Sequence, residues 1–439
     1  MVPTLWKHLM WINLPRKVSG FTNAYASCPV CSPTRASLLT GKNPVAVDIT
    51  DWIPGHQEGR IQPWHKFIVP EFNWELPIEE ITIAEKLKEK GYNTASIGKW
   101  HLGGEGYLPT SQGFDVNIAG NHKGLPPTYY YPYSVDSAKA ARNPWLDFEL
   151  KHLELTGDSL YLTDRLTNEA ISYIRQQKDS AFFLYLPFYT VHTPIEGRKD
   201  LVEKYTQKLE AHNDSVIRNP HFLAMVECMD ENIGELLHVL DTLAILENTL
   251  IIFVSDNGGL IRQDENGAYL ASYNYPLRAG KGTLYEGGLR VPTIIHWPEK
   301  FQKGFASNEL IISTDIYPTI MDILDIPPGE NIEGISLRDH LAEGETIARE
   351  TFYWHYPHYH KTNPGSVIRD GDFKLFHYYE DDRLELYNLK EDVAESMNLA
   401  GKMPEMADSL FHKLNIWLEN ENAKMPSPNP AYNPDYQSN

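Results

Sequence analysis

Leu250-Ile251-Ile252-Phe253-Val254, followed by Ser255-Asp256-Asn257-Gly258-Gly259, sets five apolar, mostly β-branched residues directly ahead of a polar turn. Such a run predicts a buried strand of the kind found in parallel sheets, with its loop at the strand's C-terminal end. Upstream of it, Phe222–Leu240 repeats apolar residues at helical spacing through Met225, Met229, Ile233, Leu236 and Leu240. Thr163–Gln177 does the same through Leu166, Ala170, Ile171 and Ile174, and a strand is expected next at Phe182–Leu186. Thr82–Lys90 reads as a helix ending at Gly91, and Asn93–Ile97 as a strand leading into Gly98-Lys99-Trp100-His101. This alternation predicts a sheet covered by helices on both faces.

After about residue 345 the pattern changes. Thr351–Tyr356, Ser366–Arg369, Phe373–Tyr378 and Leu384–Asn388 are short strand candidates, and Asp370-Gly371 is a hairpin signal. A small antiparallel sheet appended to the main domain is expected, then an extended surface tail over the last nineteen residues.

The chain has 439 residues, 42% hydrophobic and 22% charged, which excludes a disordered chain. Its 39 basic and 59 acidic residues give a formal charge of −20, so no basic surplus exists to displace counterions from nucleic acid. An anionic substrate then needs a pocket that gathers cations locally. No apolar run approaches a membrane span. Cys28, Cys31 and Cys228 are too few for a disulfide framework.

Cys28-Pro-Val-Cys31-Ser-Pro-Thr-Arg35-Ala-Ser-Leu-Leu-Thr-Gly41 carries the chemistry. Pro33 suits a first helical turn, Ser32 its N-cap and Gly41 its end. Cys31 is therefore expected just before a helix N-terminus, where free N–H groups and the helix dipole favour negative charge. Arg35 stands one turn further on, within reach of position 31. On these residues alone, a reactive thiol or anion site and a buried inert cysteine are both open.

Cys-x-Pro-x-Arg followed by Leu-Thr-Gly resembles the signature of the type I, formylglycine-dependent sulfatases of the alkaline-phosphatase-like superfamily. Only Cys31 has Pro two residues on and Arg four residues on. Similar segments follow in the family's order: Lys99-Trp100-His101, Tyr189-Thr-Val-His192-Thr-Pro194, Asp256-Asn257-Gly258, Lys281 within Arg278–Pro292, and Val367–Lys374 with Glu385–Leu389. The resemblance runs from about Phe21 to the C-terminus. It implies an α/β/α sandwich around a large mixed sheet, with a catalytic domain over 1–345 and a C-terminal antiparallel-sheet subdomain and tail over 346–439.

The resemblance also implies roles. Cys31 would be oxidised by a maturation enzyme to formylglycine, whose hydrate attacks sulfur with help from Arg35, Lys99 and a Ca²⁺ ion. His192 would protonate the leaving alcohol, His101 would drive release of sulfate, and Lys281 would bind the sulfate group. Asp256 and Asn257 would hold the metal, whereas Glu286 and Arg290 read as structural. His101, His192 and Asp256 each follow an expected strand, so one sheet edge would gather them.

The general style resembles bacterial carbohydrate sulfatases, so a sulfated glycan is the expected partner. Trp354 and His358, within Tyr353–His360, are candidates for a sugar-binding rim, as is His122; the other reading of the first two is that they fill the interface between sheet and main domain. Rival functions are a phosphate or phosphonate monoester hydrolase, a non-catalytic glycan-binding relative, and an enzyme using Cys31 as an ordinary thiol nucleophile.

One element of the family's pattern is not matched. Two of its four metal-binding side chains are an Asp-Asp pair on the first strand, and no acid here precedes Asp48. The sequence before about residue 21 is thus expected to be truncated or scrambled, leaving a gap or an unpaired edge in the sheet. With Asp256 and Asn257 supplying one formal charge, weak metal binding and little or no activity are expected. An intact family member would be periplasmic or secreted, but residues 1–20 hold only an interrupted apolar stretch and no convincing signal peptide.

Overall fold

In the computed structural model, residues 19–436 are described apart from 56–60, 144–145, 151–152, 154–159, 212–215, 266, 303 and 305. The expectations for a leader and a first strand before residue 19 lie outside the described residues. The first half holds β1 (Ser19–Tyr25), α1 (Cys31–Thr40), β2 (Phe67–Ile68), α2 (Ile83–Glu89), β3 (Asn93–Ile97), β4 (Val116–Ile118), α3 (Leu162–Gln177) and β5 (Phe182–Tyr185). There follow α4 (Lys199–Ala211), α5 (Pro220–Thr242), β6 (Ile251–Val254), β7 (Thr293–His296), β8 (Ala306–Ile312) and α6 (Ile316–Ile323). Local chemistry sets the boundaries. Thr82 caps α2 reciprocally with Glu85, at 3.3 and 2.8 Å. Gly41 ends α1 at φ 74°, where a side chain would be strained.

Two ladders form the central layer: β4-β3-β5, all parallel, and the mixed β6-β7-β1-β8. The run around Leu250 differs from expectation in its partner. Among the described residues β6 pairs antiparallel with β7, and it is half-buried. No strand among them joins the two ladders, so β5 and β6 are their edges. Side chains from those two edges nevertheless enter shared cores. Phe183 and Ile252 pack with Leu38 of α1, Ile83 and Leu87 of α2 and Ile320 of α6 on one face. Phe182, Leu184 and Ile251 pack with Ile171 and Ile174 of α3 and Val239 and Leu240 of α5 on the other. Helices thus cover both faces, giving the expected α/β/α sandwich.

The C-terminal sheet is β9 (Thr351–Tyr356), β10 (Gly365–Asp370), β11 (Phe373–Tyr378) and β12 (Arg383–Asn388), antiparallel in the order β12-β11-β10-β9. The Asp370-Gly371 turn closes the β10–β11 hairpin. Helix α7 (Pro404–Asn420), which the sequence reading did not anticipate, lays Leu410, Leu414 and Leu418 against Ile368, Leu375 and Leu386. The tail is exposed as expected, and β13 (Ser427–Pro428) pairs with β2.

The other face of this sheet packs on the main domain, which corrects the proposed sugar-binding rim. Trp354 is 1% exposed and donates Nε1–H to Ala26 O at 2.9 Å. His358 is 0% exposed, with Nε2 at 2.8 Å from Thr50 Oγ1. Both fill the seam between the C-terminal sheet and the residues around Ala26 and Thr50, where aromatic area is worth more than at a rim.

A fully buried ion cluster pins the same interface. Lys374 Nζ on β11 lies 2.9 Å from Glu286 Oε1 and 3.0 Å from Glu395 Oε1, and Arg290, Arg369 and Tyr25 also bear on Glu286. Burial lifts the Glu395 carboxyl to about 7, with the Glu286 charge adding to it, although Lys374 pulls the other way. Glu286 moves down because Lys374 and Arg369 outweigh its own burial. For Glu395 the folded state binds the extra proton, so its contribution to stability is full below the ordinary glutamate range and is lost as pH rises towards 7. Melting curves should therefore show the advantage of Glu395→Gln over the natural chain growing from pH 5 to 7 and then levelling; a constant difference would refute the assignment. Lys374→Met, which strands two buried carboxylates, should lower stability by about 3–5 kcal/mol in urea unfolding.

Candidate active site

Cys31 is the first residue of α1, not the residue before it as the sequence reading had it. Val30 is the N-cap; Ser32, expected there, instead accepts a hydrogen bond from Ile53 N at 3.1 Å. The sulfur still sits at the mouth of a helix whose first turn carries no acidic side chain. Lys281 Nζ approaches it to 3.3 Å, and the His101 and His192 imidazoles lie close enough to bear on its charge. Burial alone would push this thiol up. The charges of Lys281 and Lys99, with the two imidazoles, overcome that and hold it well below the ordinary thiol range.

The strand ends bring the other groups in. Gly98, after β3, adopts φ 123°, and a Cβ there would stand 2.2 Å from Pro187 O after β5, so the two strand ends meet in backbone contact. Three residues on, His101 adopts φ 62°, a left-handed conformation that side-chain-bearing residues seldom take, and its Nε2 lies 2.7 Å from Ile53 O. Its buried Nδ1 makes no hydrogen bond. After β5, His192 is fixed by Nδ1 at 3.1 Å from Thr193 O, while Tyr129 Oη donates to Tyr189 O and His192 O at 2.7 and 3.0 Å. Burial pushes both imidazoles below their ordinary value, and neighbouring lysines add to it, so both rings are neutral around pH 7.

Arg35 ties these parts together from one turn into α1. Its Nε donates to Trp100 O at 2.8 Å, Nη2 to Lys99 O, and Nη1 reaches Asp256 Oδ2 at 3.3 Å. Lys99 Nζ lies 3.6 Å from the same carboxylate oxygen. Although burial opposes it, Lys99, Arg35 and Lys281 hold the Asp256 carboxyl below its usual range. Six expected residues therefore form one pocket: Cys31, Arg35, Lys99, His101, His192 and Lys281, with Asp256 beside them. His122 is exposed at its edge, close enough to His101 for their charges to interact. Trp354 and His358 are not brought in. The sequence reading missed Tyr129 and Asn274, which carry no motif of their own. Asn274 Nδ2 donates to Gly259 O at 2.9 Å and Ala279 O at 3.0 Å, joining the Asp256 turn to the Lys281 segment. Glu395 grips that segment too: its Oε2 accepts from Glu286 N at 2.7 Å and its carbonyl from Arg278 Nη1 at 2.8 Å.

Asn257 Oδ1 is buried without a hydrogen-bond partner, as a metal-directed oxygen would be. Yet Asp256 is already engaged by two cations, and no group of three or more His, Cys, Asp or Glu side chains among the described residues could hold a metal. One charged and one neutral oxygen do not make a cage for Ca²⁺, which takes six to eight oxygens.

The Sulfatase family profile matches residues 10–326, and the N-sulphoglucosamine sulphohydrolase C-terminal profile matches residues 279–424. A sulfatase of Formosa agariphila is 32% identical over 486 residues, spanning 94% of this chain and 83% of its own. Ps i-CgsB, solved in complex with k-i-k-neocarrahexaose, shares the fold at TM-score 0.74 and 24% identity, over 93% of this chain and 86% of the other. A structure solved with its substrate D-glucosamine-2-N,6-O-disulfate does so at TM-score 0.67 and 23% identity, over 94% and 92%. The chain belongs to the sulfatase family and is by class a sulfuric ester hydrolase with the alkaline-phosphatase-like fold. No helix among the described residues is long and apolar enough to cross a membrane.

Two measurements probe this pocket directly. In the unmodified protein, Lys281→Met should raise the Cys31 thiol pKa and slow its alkylation at neutral pH at least tenfold, read by mass spectrometry of the Cys31 peptide. Calorimetric titration with Ca²⁺ should give no saturable heat in the micromolar range, and Asp256→Ala should leave the trace unchanged.

Proposed function

We propose that this chain hydrolyses sulfate monoesters on a carbohydrate, with position 31 matured to formylglycine. The observation that carries the reading is one sulfur at a helix N-terminus, with Lys281 at 3.3 Å and two neutral imidazoles against it. Matured, position 31 supplies a hydrated aldehyde, one hydroxyl being the nucleophile towards sulfur and the other the means of expelling sulfate. Lys281 and Lys99 bind the sulfate oxygens and stabilise the charge that builds on them. Arg35 holds the Lys99 and Trp100 carbonyls so that Lys99 stays aimed at the pocket. His192 gives its proton to the departing alcohol, and His101, fixed through Ile53 O, accepts one at position 31.

The carbohydrate class draws support from the sugars bound in the two related structures, transferred here as a proposal. The partners are then a sulfated glycan and a maturation enzyme, and the compartment is the periplasm or the exterior. Calcium belongs to the family's chemistry, but the described donors do not fit it, so no step here runs through a metal. That shortage also favours a second reading, a relative that binds sulfated glycans without turning them over.

Sulfate release from sulfated mono- and oligosaccharides, beside phosphate release from the matching phosphate esters, tests the proposal. Sulfate release should exceed phosphate release and vanish in Cys31→Ser; phosphate preference or full activity in that variant would overturn it. Because burial lowers the His192 pKa, its proton-donating form gains population as pH falls. For sugar esters kcat/KM should therefore rise towards acid pH, and His192→Ala should flatten that limb while sparing activated aryl esters.

A further inference from the structure

The segment from Gly259 to Lys281 leaves the pocket and returns to it. Lys281 N donates to Gly259 O at 3.0 Å, and Asn274 Nδ2 reaches Gly259 O, Ala279 O and, at 3.2 Å, Gly287 O. Asn274 is therefore drawn down onto the backbone that carries Asp256 on one side and Lys281 on the other. Its two neighbours lie further out, Tyr273 half-buried and Tyr275 exposed. Tyr275 is 74% exposed, more than any other large hydrophobic side chain among the described residues. Tyr273 lies beside it with ring centroids 5.9 Å apart and planes 14° apart, and Tyr269 backs Tyr273 edge-on at 4.8 Å. Lys361 Nζ donates to Ile261 O on the same loop at 3.2 Å, and burial, with the Lys281 charge adding to it, pushes its own pKa down.

The two near-parallel, offset phenol rings thus form a small stepped aromatic surface whose outer part is Tyr275, rooted one residue either side of the asparagine that builds the pocket wall. Leaving such rings in water is costly unless something covers them. The area of two rings is far below what a stable protein interface buries. It matches a pyranose ring, whose apolar C–H face lies on an aromatic plane while its hydroxyls remain at the edge. On a chain of charge −20, Lys281 and Lys361 mark this side of the pocket as the one a sulfated chain approaches.

We propose that Tyr273 and Tyr275 form a stacking subsite for a sugar ring adjoining the one whose sulfate enters the pocket. This rests on the carbohydrate reading above and makes this chain selective for oligosaccharides over monosaccharides. The test compares one sulfated monosaccharide with an oligosaccharide containing it, in the natural chain, Tyr275→Ala, Tyr273→Ala and Tyr275→Phe. Either alanine variant should raise KM for the oligosaccharide roughly threefold to tenfold, with kcat and the monosaccharide KM unchanged, and Tyr275→Phe should behave as the natural chain. Unchanged KM values, or equal losses on both substrates, would overturn the subsite. Affinity for the same two ligands, measured by calorimetry, separates this from the catalytic proposal. Tyr275-dependent oligosaccharide binding without hydrolysis sustains the subsite and sinks the reaction, whereas no binding, or binding indifferent to Tyr275, sinks the subsite. A change in sedimentation in place of affinity would assign the aromatic surface to a second copy of the chain and likewise overturn the subsite.

Discussion

The buried guanidinium of Arg35 is the interaction on which the site depends. One planar group reaches from the first helix to two consecutive carbonyls beyond β3 and to the carboxylate beyond β6. A guanidinium suits that task because its donors radiate in a fixed fork and it cannot shed its charge. A buried cation is tolerable only where it is so fully engaged, since each unmet donor would cost more than the pairing returns. The fork therefore fixes the helix carrying Cys31 relative to the strand ends carrying Lys99, His101 and Asp256.

Around that fork the charges do not balance in the usual way. Arg35, Lys99 and Lys281 face one carboxylate and one acidic thiol. The surplus of one positive charge, in a protein that is strongly negative overall, makes the pocket complementary to a monoanion such as a sulfate ester and poorly suited to a bare divalent cation. The opposite arrangement appears at the domain interface, where Glu286 and Glu395 share Lys374 in complete burial. That cluster matters to the site because Glu395 holds both ends of the segment on which Lys281 rides.

Much of this was legible in the sequence, for identifiable reasons. Helical spacing in residues 163–177 and 222–240, and the apolar runs before Lys99 and Asp256, marked elements because burial dictates side-chain period. Cys31, Arg35, Lys99, His101, His192, Lys281 and Asp256 were readable because their segments resemble a family's. Other features had no local signal. Strand partners are set by tertiary packing, so β6 was expected in a parallel ladder and is antiparallel to β7. Trp354 and His358 sit in a run of alternating aromatic and histidine residues that reads equally as rim or core, and long-range bonds to Ala26 and Thr50 decided for core. Helix α7 went unread although Leu410, Leu414 and Leu418 recur at helical spacing. Tyr129 acts through carbonyls some sixty residues on and Asn274 through three backbone carbonyls around its own loop, which no sequence pattern announces.

The first strand and the cysteine lie at the start of the chain, and their partners lie near its end. β1 is enclosed by β7 and β8, and Lys281 stands 250 residues after Cys31. Ribosomes add about 5–20 residues per second, so the sulfur emerges roughly 12–50 s before the lysine that will cover it has been made. In that interval it is an ordinary thiol on an unfolded stretch, open to any enzyme that reads the residues around it. Once the chain closes, Cys31 is 3% exposed, open to small molecules in the pocket but not to the active site of another enzyme. The order of synthesis thus imposes a deadline on any modification of that side chain that a second enzyme must carry out.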